Sequence, residues 1–578
     1  MDGSIDHTDG CAAWNPGVTS TVPEAFRAQE TIARPECVFG TLAEVEELVG
    51  LTGLPSEQLA TFRPARLALH ELIVRVTADI AVSEGEQEEV FGQNFRRIAG
   101  RIREEYIAPH MQAIERSYAD LRERADALVR EILQATLFAP QPARTAPQLP
   151  FSLFRRANRR PMPTESAAER EQRLIAEYRE AGRSADDPLR RAAYKSLSRV
   201  LGAIAGRHGR VGGNIDLLVS LVARHVCNSY GSRLIGQQIA PLVDAAIEKE
   251  GYVRVADREA PILISLKGAS AAGKSSLRPM LKRVLREQGI EADGYATISP
   301  DVWRRLLLDY ESLGPAYKYA GHFTSRELMV IDGKLDRYIR DKAERRQAIP
   351  HLVVDRFRFD SFSSEQVARV LHNTYAKYVD TMYMYFVVTP PEETVERGWQ
   401  RALERGRYKA VEDFLGHSVE AYTGMPKILF KWLAHRRPDY RYFFLDNRVP
   451  KGAFPKTIAF GNQDEITIYD PVAFIDIERY QKIDISARSR AEVYPPARAL
   501  AVEHNTSFLK ECIRRIPNVI LVDPDSGVAY LRARHGRFEV VEAVTMARVM
   551  GDAQIAIVMG EIAPDLVEAR RSPAPCPD

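Results

Sequence analysis

Cysteine is scarce in this chain: 578 residues hold five, Cys11, Cys37, Cys227, Cys512 and Cys576. They are scattered, odd in number and form no CxxC pair, which excludes a disulfide framework and a zinc ribbon and predicts free thiols of a reducing compartment. Long apolar runs are missing too, none approaching the roughly 20 residues that span a bilayer. The first residues, MDGSIDHTDGCAAWNPG, have neither a basic n-region nor an apolar h-region. Cleaved Sec-type export is therefore not expected, and the chain reads as a cytoplasmic protein without a membrane partner. These residues leave open whether it is an injected effector. Charge of one sign is absent as well: 80 Lys and Arg face 78 Asp and Glu, for a formal net charge of +2. No global field draws it to nucleic acid or an anionic membrane. Hydrophobic content of 45% and charged content of 27% are those of an ordinary globular protein. The length suggests about three or four domains.

What is present is a single stretch around which the rest is arranged, PILISLKGASAAGKSSLRP at residues 261–279. The apolar run 262–266 leads into Gly268, Ala269, Ser270, Ala271, Ala272, Gly273, Lys274, Ser275 and Ser276, and Leu277, Met280, Leu281, Val284 and Leu285 follow at helical spacing. Strand, glycine-rich loop, Lys-Ser and helix together are the context of a phosphate-binding loop. Inward backbone N–H groups and the helix N-terminus cradle a polyphosphate, Lys274 reaches the β- and γ-phosphates, and the Ser275 hydroxyl serves Mg²⁺. The expected ligand is ATP or GTP.

Taken in order, residues 1–40 carry Gly, Pro and Thr with little periodicity and read as a flexible arm. Residues 41–138 show helical periodicity for a bundle of about four helices, in which His70 and Glu71, lacking a second His, read as a plain helix face. Residues 139–165 are Pro-rich and read as a linker, its FRRANRRP a solvated charge run with a phosphate contact as the alternative. A second helical block covers 166–250; its GRVGG lacks a Lys-Ser and a preceding strand and is no phosphate loop. From 251 to 485 strand and helix patterns alternate. Candidate strands at 262–266, 295–299, 351–355, 382–389 and 442–445 predict an α/β domain with a parallel five-stranded sheet, its ligand at the carboxyl ends of the strands. Segments 457–460 and 466–469 flank GNQDE as a hairpin. Residues 486–578 read as a small α+β appendage with a strand at 519–522 and a hairpin in SGVAYLRARHGRFEVV.

Phosphoryl transfer needs a metal, cations on the moving charge and a group that positions the nucleophile. Asp301, in ISPDVWRR, directly follows a strand, where a carboxylate would accept a hydroxyl proton or hold Mg²⁺; helix capping is the alternative. Asp355 ends HLVVD in the position of a metal-side acid. Arg397, Arg401, Arg405 and Arg407 lie on a helix-like run after MYMYFVVT, either as phosphate-facing forks or as an i,i+4 salt-bridged surface helix.

Residues 260–446, about a third of the chain, resemble the zeta-toxin family of P-loop kinases. The resemblance lies in GKSSLR, in ISPDVWR, in HFTSRELMVID, in the acid after HLVVD and in the two arginines Arg401 and Arg407. It implies a nucleoside-monophosphate-kinase-like fold, ATP with Mg²⁺, and transfer to a hydroxyl acceptor such as the sugar nucleotide UDP-N-acetylglucosamine. It places Asp301 as catalytic base, Arg401 and Arg407 as lid arginines, Asp355 beside Ser275 on the metal side, and His322, Thr324 and Asp332 on a substrate-facing helix. Arg278 becomes a structural or nucleotide-side contact. Asp332 and Asp355 stand where the best-known members have glutamates. Arg356-Phe357-Arg358-Phe359 replaces a small Gly-Thr, which reshapes the acceptor pocket and puts Arg358 among its contacts. Small helical antitoxins block the nucleotide site in that family, so an antitoxin-like partner, or self-regulation by the separately folding N-terminal helices, is implied here. Two rivals remain: a kinase of nucleic-acid ends or of another nucleotide, against which the near-neutral charge argues, and a nucleotide-gated interaction protein.

Overall fold

The computed structural model describes residues 10–85, 88–140, 165–356, 377–450 and 453–566. The FRRANRRP run, Arg358 and Cys576 lie outside the described residues. Within them no helix is long and apolar enough to cross a membrane, and Cys11, Cys37, Cys227 and Cys512 are free thiols.

Both N-terminal blocks are helical, and local signals set their ends. Thr41 accepts from the Glu44 N–H to start helix Leu42–Thr52, which stops at Gly53 with φ +69°. Ser166 and Glu169 form a reciprocal capping box on helix Ala167–Ser184. Asp187 and Gly209 bracket helix Pro188–His208, and Asn214 caps helix Ile215–Val226. Helix Pro64–Asp79 is different: apolar residues cover most of its circumference, with Leu67, Leu72, Ile73, Val74 and Val76 almost fully buried. A helix apolar all round must be enclosed on all sides, and it lies between helix Ser232–Glu250 and helix Ser325–Arg346.

That enclosure overturns the expectation of a separately folding N-terminal half. The helical blocks and the sheet share one continuous apolar core. A buried ionic network crosses the junction. Arg66 grips Glu327 with two hydrogen bonds of 2.5 and 2.7 Å, and His70 Nε2 meets the same carboxylate at 2.6 Å. Lys334 Nζ donates to His70 Nδ1 at 3.0 Å and to Ser232 Oγ at 2.7 Å, and Ser232 in turn donates to Glu71 at 2.6 Å. His70 and Glu71 are thus buried junction residues rather than a solvated helix face.

Among the described residues the sheet has ten strands rather than five. They are β1 Ile262–Lys267, β2 Tyr295–Ile298, β3 His351–Val354, β4 Thr381–Val388, β5 Asp439–Asp446, β6 Lys456–Gly461, β7 Glu465–Ile468, β8 Asn518–Val522, β9 Ala529–Arg534 and β10 Arg537–Val540. The order is β10-β9-β8-β7-β6-β5-β4-β1-β3-β2. The five anticipated strands are neighbours and mutually parallel, in the order β2-β3-β1-β4-β5. Hairpin β6–β7 joins β5 antiparallel, β8 pairs parallel with β7, and β9 and β10 complete the edge. The appendage therefore extends the sheet. Aromatic packing cements the join, with Phe443 stacked on Phe460 and Phe444 against Phe474 and Phe508.

The anticipated flexible arm is also different over residues 10–40. Trp14 Nε1 donates to Glu396 at 2.8 Å, the Thr31 N–H donates to the Phe323 carbonyl at 2.9 Å, and Val18 is buried with Tyr310, Tyr319 and Tyr408. The segment is a strap lying on the sheet domain. Sparse but well-placed apolar residues anchor it, a pattern without period.

Candidate functional site

The carboxyl ends of the parallel strands open into a cavity of about 850 Å³, within the size range of small-molecule sites. The loop after β1 forms one wall. Gly273 has φ +93°, and a Cβ there would lie 2.1 Å from Asn447 Nδ2, so only glycine fits. That amide donates to the Ala272 carbonyl at 2.7 Å, and Thr389 Oγ1 donates to the same oxygen at 2.9 Å. Residues just past β4 and β5 thereby pin the loop. Ser270, Ala271, Gly273, Lys274, Ser275 and Ser276 line the cavity. Ala269 and Ala272 are fully buried beneath, and Gly268 backs onto Val387. Lys274 Nζ donates to the Gly268 and Ala269 carbonyls at 3.0 and 2.9 Å. A 3-10 turn at Lys274–Leu277 precedes helix Arg278–Glu287. Arg278 points away from the cavity: it donates to Ser299 Oγ at 3.3 Å and stacks over Phe91 of the N-terminal region.

Asp301 stands in the turn after β2. Arg304 Nε reaches it at 3.0 Å and Arg407 Nη2 at 2.7 Å. Burial would raise its carboxyl, but the guanidiniums of Arg407, Arg304 and Arg401 outweigh that and hold it well below the usual carboxylate range. The carboxylate faces guanidiniums, and the turn's cap residue Ser299 makes no side-chain capping bond. Asp355, following β3, lines the same cavity, as do Arg401 and Arg407. Arg397 donates to the Asn447 and Val449 carbonyls, and Arg405 pairs with Glu89 at 3.3 Å. All four arginines line the cavity, Arg397 and Arg405 while also bonding to its frame.

The remaining expected contacts separate. His322 lines the cavity, its Nε2 3.2 Å from Asp413 Oδ2. Asp332 lines it too, held by Arg356 Nε at 3.1 Å, while the other end of Arg356 reaches Asp336 at 2.7 Å. Thr324 is a correction. It is fully buried, off the cavity wall, and accepts from Arg304 Nη1 at 2.7 Å. It braces the arginine that holds Asp301.

Ser275 and Asp355 are hard oxygen donors on one wall, and no group of three or more His, Cys, Asp or Glu among the described residues could hold a metal. One hydroxyl and one carboxylate fit an ion such as Mg²⁺, which takes its remaining ligands from phosphates and water.

Three features of the wall escape a reading of the sequence. Asn447 and Thr389 pin the loop from strands remote in sequence. Lys409 and His417 meet at Ser270: Lys409 Nζ is 3.0 Å from Ser270 Oγ and hydrogen-bonds His417 Nδ1, which is itself 3.0 Å from Ser270 Oγ. Asp413 and His417 lie four apart on helix Val411–Leu433 and so share a face. Ser20 of the strap also lines the cavity, its N–H and hydroxyl both donating to Glu412 at 3.3 Å.

The chain matches no family model and no curated protein. Among solved structures it shows a likeness to crystals of the AvrRxo1-ORF1:-ORF2 complex. With the native complex the identity is 17% and the TM-score 0.30, over 46% of this chain and 77% of the other. With the complex holding ATP the figures are 16% and 0.32, over 52% and 90%. With the complex holding sulphate ions they are 16% and 0.31, over 44% and 76%. A likeness of this degree fixes neither fold nor chemistry, which rest on the strands and side chains described above.

Proposed function

We propose that the chain is a P-loop phosphotransferase that moves the γ-phosphoryl group of ATP or GTP to a hydroxyl acceptor. The observation that carries this is convergence. One cavity collects Lys274 and Ser275 of the loop, the carboxylates Asp301 and Asp355 after the neighbouring strands β2 and β3, and the guanidiniums of Arg401 and Arg407. These are the parts phosphoryl transfer requires: cations on the phosphate chain, a metal-side acid and a group for the nucleophile's proton.

The chemistry follows from charge. Loop N–H groups and Lys274 bind the phosphate chain, the ammonium exchanging neutral carbonyls for phosphate oxygens. Ser275 and Asp355 would hold a magnesium ion, which when bound would supply charge neutralisation to the phosphate chain. The acceptor oxygen forms a bond to the γ-phosphorus, the bond to the bridging oxygen breaks, and the nucleoside diphosphate leaves. Asp301 takes the acceptor's proton. A carboxylate gripped by two arginines is a weak base, so Arg407 has a double part. When it turns from Asp301 to the phosphoryl oxygens it stabilises the moving charge and restores basicity to Asp301. His322 and Asp332 sit on the acceptor side. A sugar nucleotide such as UDP-N-acetylglucosamine is the acceptor the family resemblance favours, and Arg356 makes this wall bulkier and more cationic than a Gly-Thr turn would.

The test is direct. Full-length protein is incubated with γ-labelled ATP, Mg²⁺ and a metabolite extract, and the labelled product is isolated and identified. Label on a small molecule's hydroxyl is the expected result. Label released only as inorganic phosphate would favour a nucleotide-gated switch, and label on nucleic-acid ends would redirect the acceptor assignment.

A further inference from the structure

Lys409 has no part in the chemistry above, yet it faces the same cavity as Lys274. We propose that Lys409 is a second polyphosphate-binding cation of this site, held at the mouth of the phosphate loop by Ser270 and His417 until a triphosphate takes over its ammonium group. The proposal rests on the nucleotide reading of the loop.

The geometry carries it. Ser270 is the third residue of the loop, and Lys409 Nζ stands 3.0 Å from its hydroxyl. The ammonium also bonds His417 Nδ1 and stands over the Phe414 ring, 5.6 Å from the centroid. Nδ1 of His417 can accept from the ammonium group, and an imidazole nitrogen that accepts carries no charge of its own. Two of its partners, a hydroxyl and an imidazole nitrogen, are neutral acceptors that a phosphate oxygen outcompetes. The charges around Lys409 come from every neighbouring element. Asp301 and Arg304 face it from the turn after β2, Arg401 from helix Pro391–Arg405, and Asp413 from helix Val411–Leu433, where Asp413 also holds His322. Burial depresses Lys409 to about 7; the carboxylates of Asp413 and Asp301 oppose that shift, and Arg401 and Arg304 add to it. A polyphosphate reverses the balance, because anionic oxygens favour the charged form. Nucleotide binding and protonation of Lys409 are then coupled, each strengthening the other.

The experiment is titration calorimetry of the full chain with MgATP at pH 8 in buffers of different ionisation enthalpy, which counts protons taken up per nucleotide. The expected result is uptake of a large part of one proton, lost in Lys409→Met together with about tenfold in affinity. Lys409→Arg is charged at pH 8 without taking up a proton, so uptake should be lost while affinity holds or rises. Unchanged affinity and unchanged uptake in Lys409→Met, with Lys274→Ala binding abolished, would overturn the proposal and leave the phosphate-loop reading standing. If Lys409→Met fails to fold, unchanged uptake in Lys409→Arg overturns it instead. No MgATP binding by the unaltered protein would sink the nucleotide reading itself.

Discussion

At the scale of single residues, what is legible in the sequence is what lies next to a strand end. Lys274, Ser275, Asp301 and Asp355 follow β1, β2 and β3 within a few residues, so a motif and a strand pattern suffice to bring them together. Lys409, His417 and Asn447 reach the same loop only because β4, β5 and helix Val411–Leu433 fold over it, and no local period records that meeting. Thr324 fails for the complementary reason: spacing along a helix does not say which side of the wall a buried hydroxyl occupies. The Asp301 assignment yields a sharp expectation. Asp301→Asn keeps size and most hydrogen bonds but cannot take a proton. Mg²⁺-nucleotide affinity should stay within a few-fold, while transfer falls by roughly 10² or more. Weakened nucleotide binding only in the presence of Mg²⁺ would make Asp301 a metal ligand, and unchanged transfer would remove it from the chemistry.

At the scale of elements, the decisive one is helix Ser325–Arg346. One side presents Ser325, Met329 and Asp332 to the cavity, and the other carries Glu327 and Lys334 into the buried network with helix Pro64–Asp79. Glu327 compensates the Arg66 charge and accepts from the neutral His70 ring where no water can. Glu327→Gln should therefore cost about 3–5 kcal/mol, the usual penalty for stranding a buried charge, read as a lowered urea midpoint. Its carboxyl is held far below its ordinary value: burial opposes the charge, but Arg66 and the His70 hydrogen bond prevail. The stabilisation is therefore complete above the unfolded value of about 4.3 and lost only as pH falls towards the depressed native one. The same junction gives a test of the shared core. A chain beginning at Gly251 would expose the apolar face that helix Pro64–Asp79 covers, and it should be insoluble or bind a hydrophobic dye. A soluble, cooperatively unfolding fragment would contradict the shared core.

At the scale of the whole molecule, the parallel core was legible strand by strand, because β1 to β5 are buried apolar runs separated by helical patterns. The continuation to ten strands was not. Pairing of β6 with β5 and of β8 with β7 is a choice of edge partner, made by the Phe443, Phe444, Phe460 and Phe508 cluster rather than by any period in the sequence. The same burial gives the whole chain an acid sensitivity. His70 is held down to about 3, His225 to about 4 and His351 to about 4, in each case first by burial. Unfolded histidines bind protons below about 6.5. Between that value and about 4 the unfolded state therefore holds more protons than the native one, and stability falls as pH falls. Urea midpoints at pH 7.5 and pH 5 should show a marked drop, and equal midpoints would contradict the buried-neutral assignment.

The central claim, that the loop after β1 delivers a nucleotide phosphate for transfer, is tested most directly by Lys274→Ala. The side chain lies in a polar cradle of loop carbonyls rather than in the apolar core, so its loss should leave the melting temperature within a few degrees. Label transfer from γ-labelled ATP, measured side by side with the unaltered protein, should fall at least a hundredfold, the scale set by removing a preorganised cation from a transition-state charge. Full transfer by a folded Lys274→Ala protein would contradict the account.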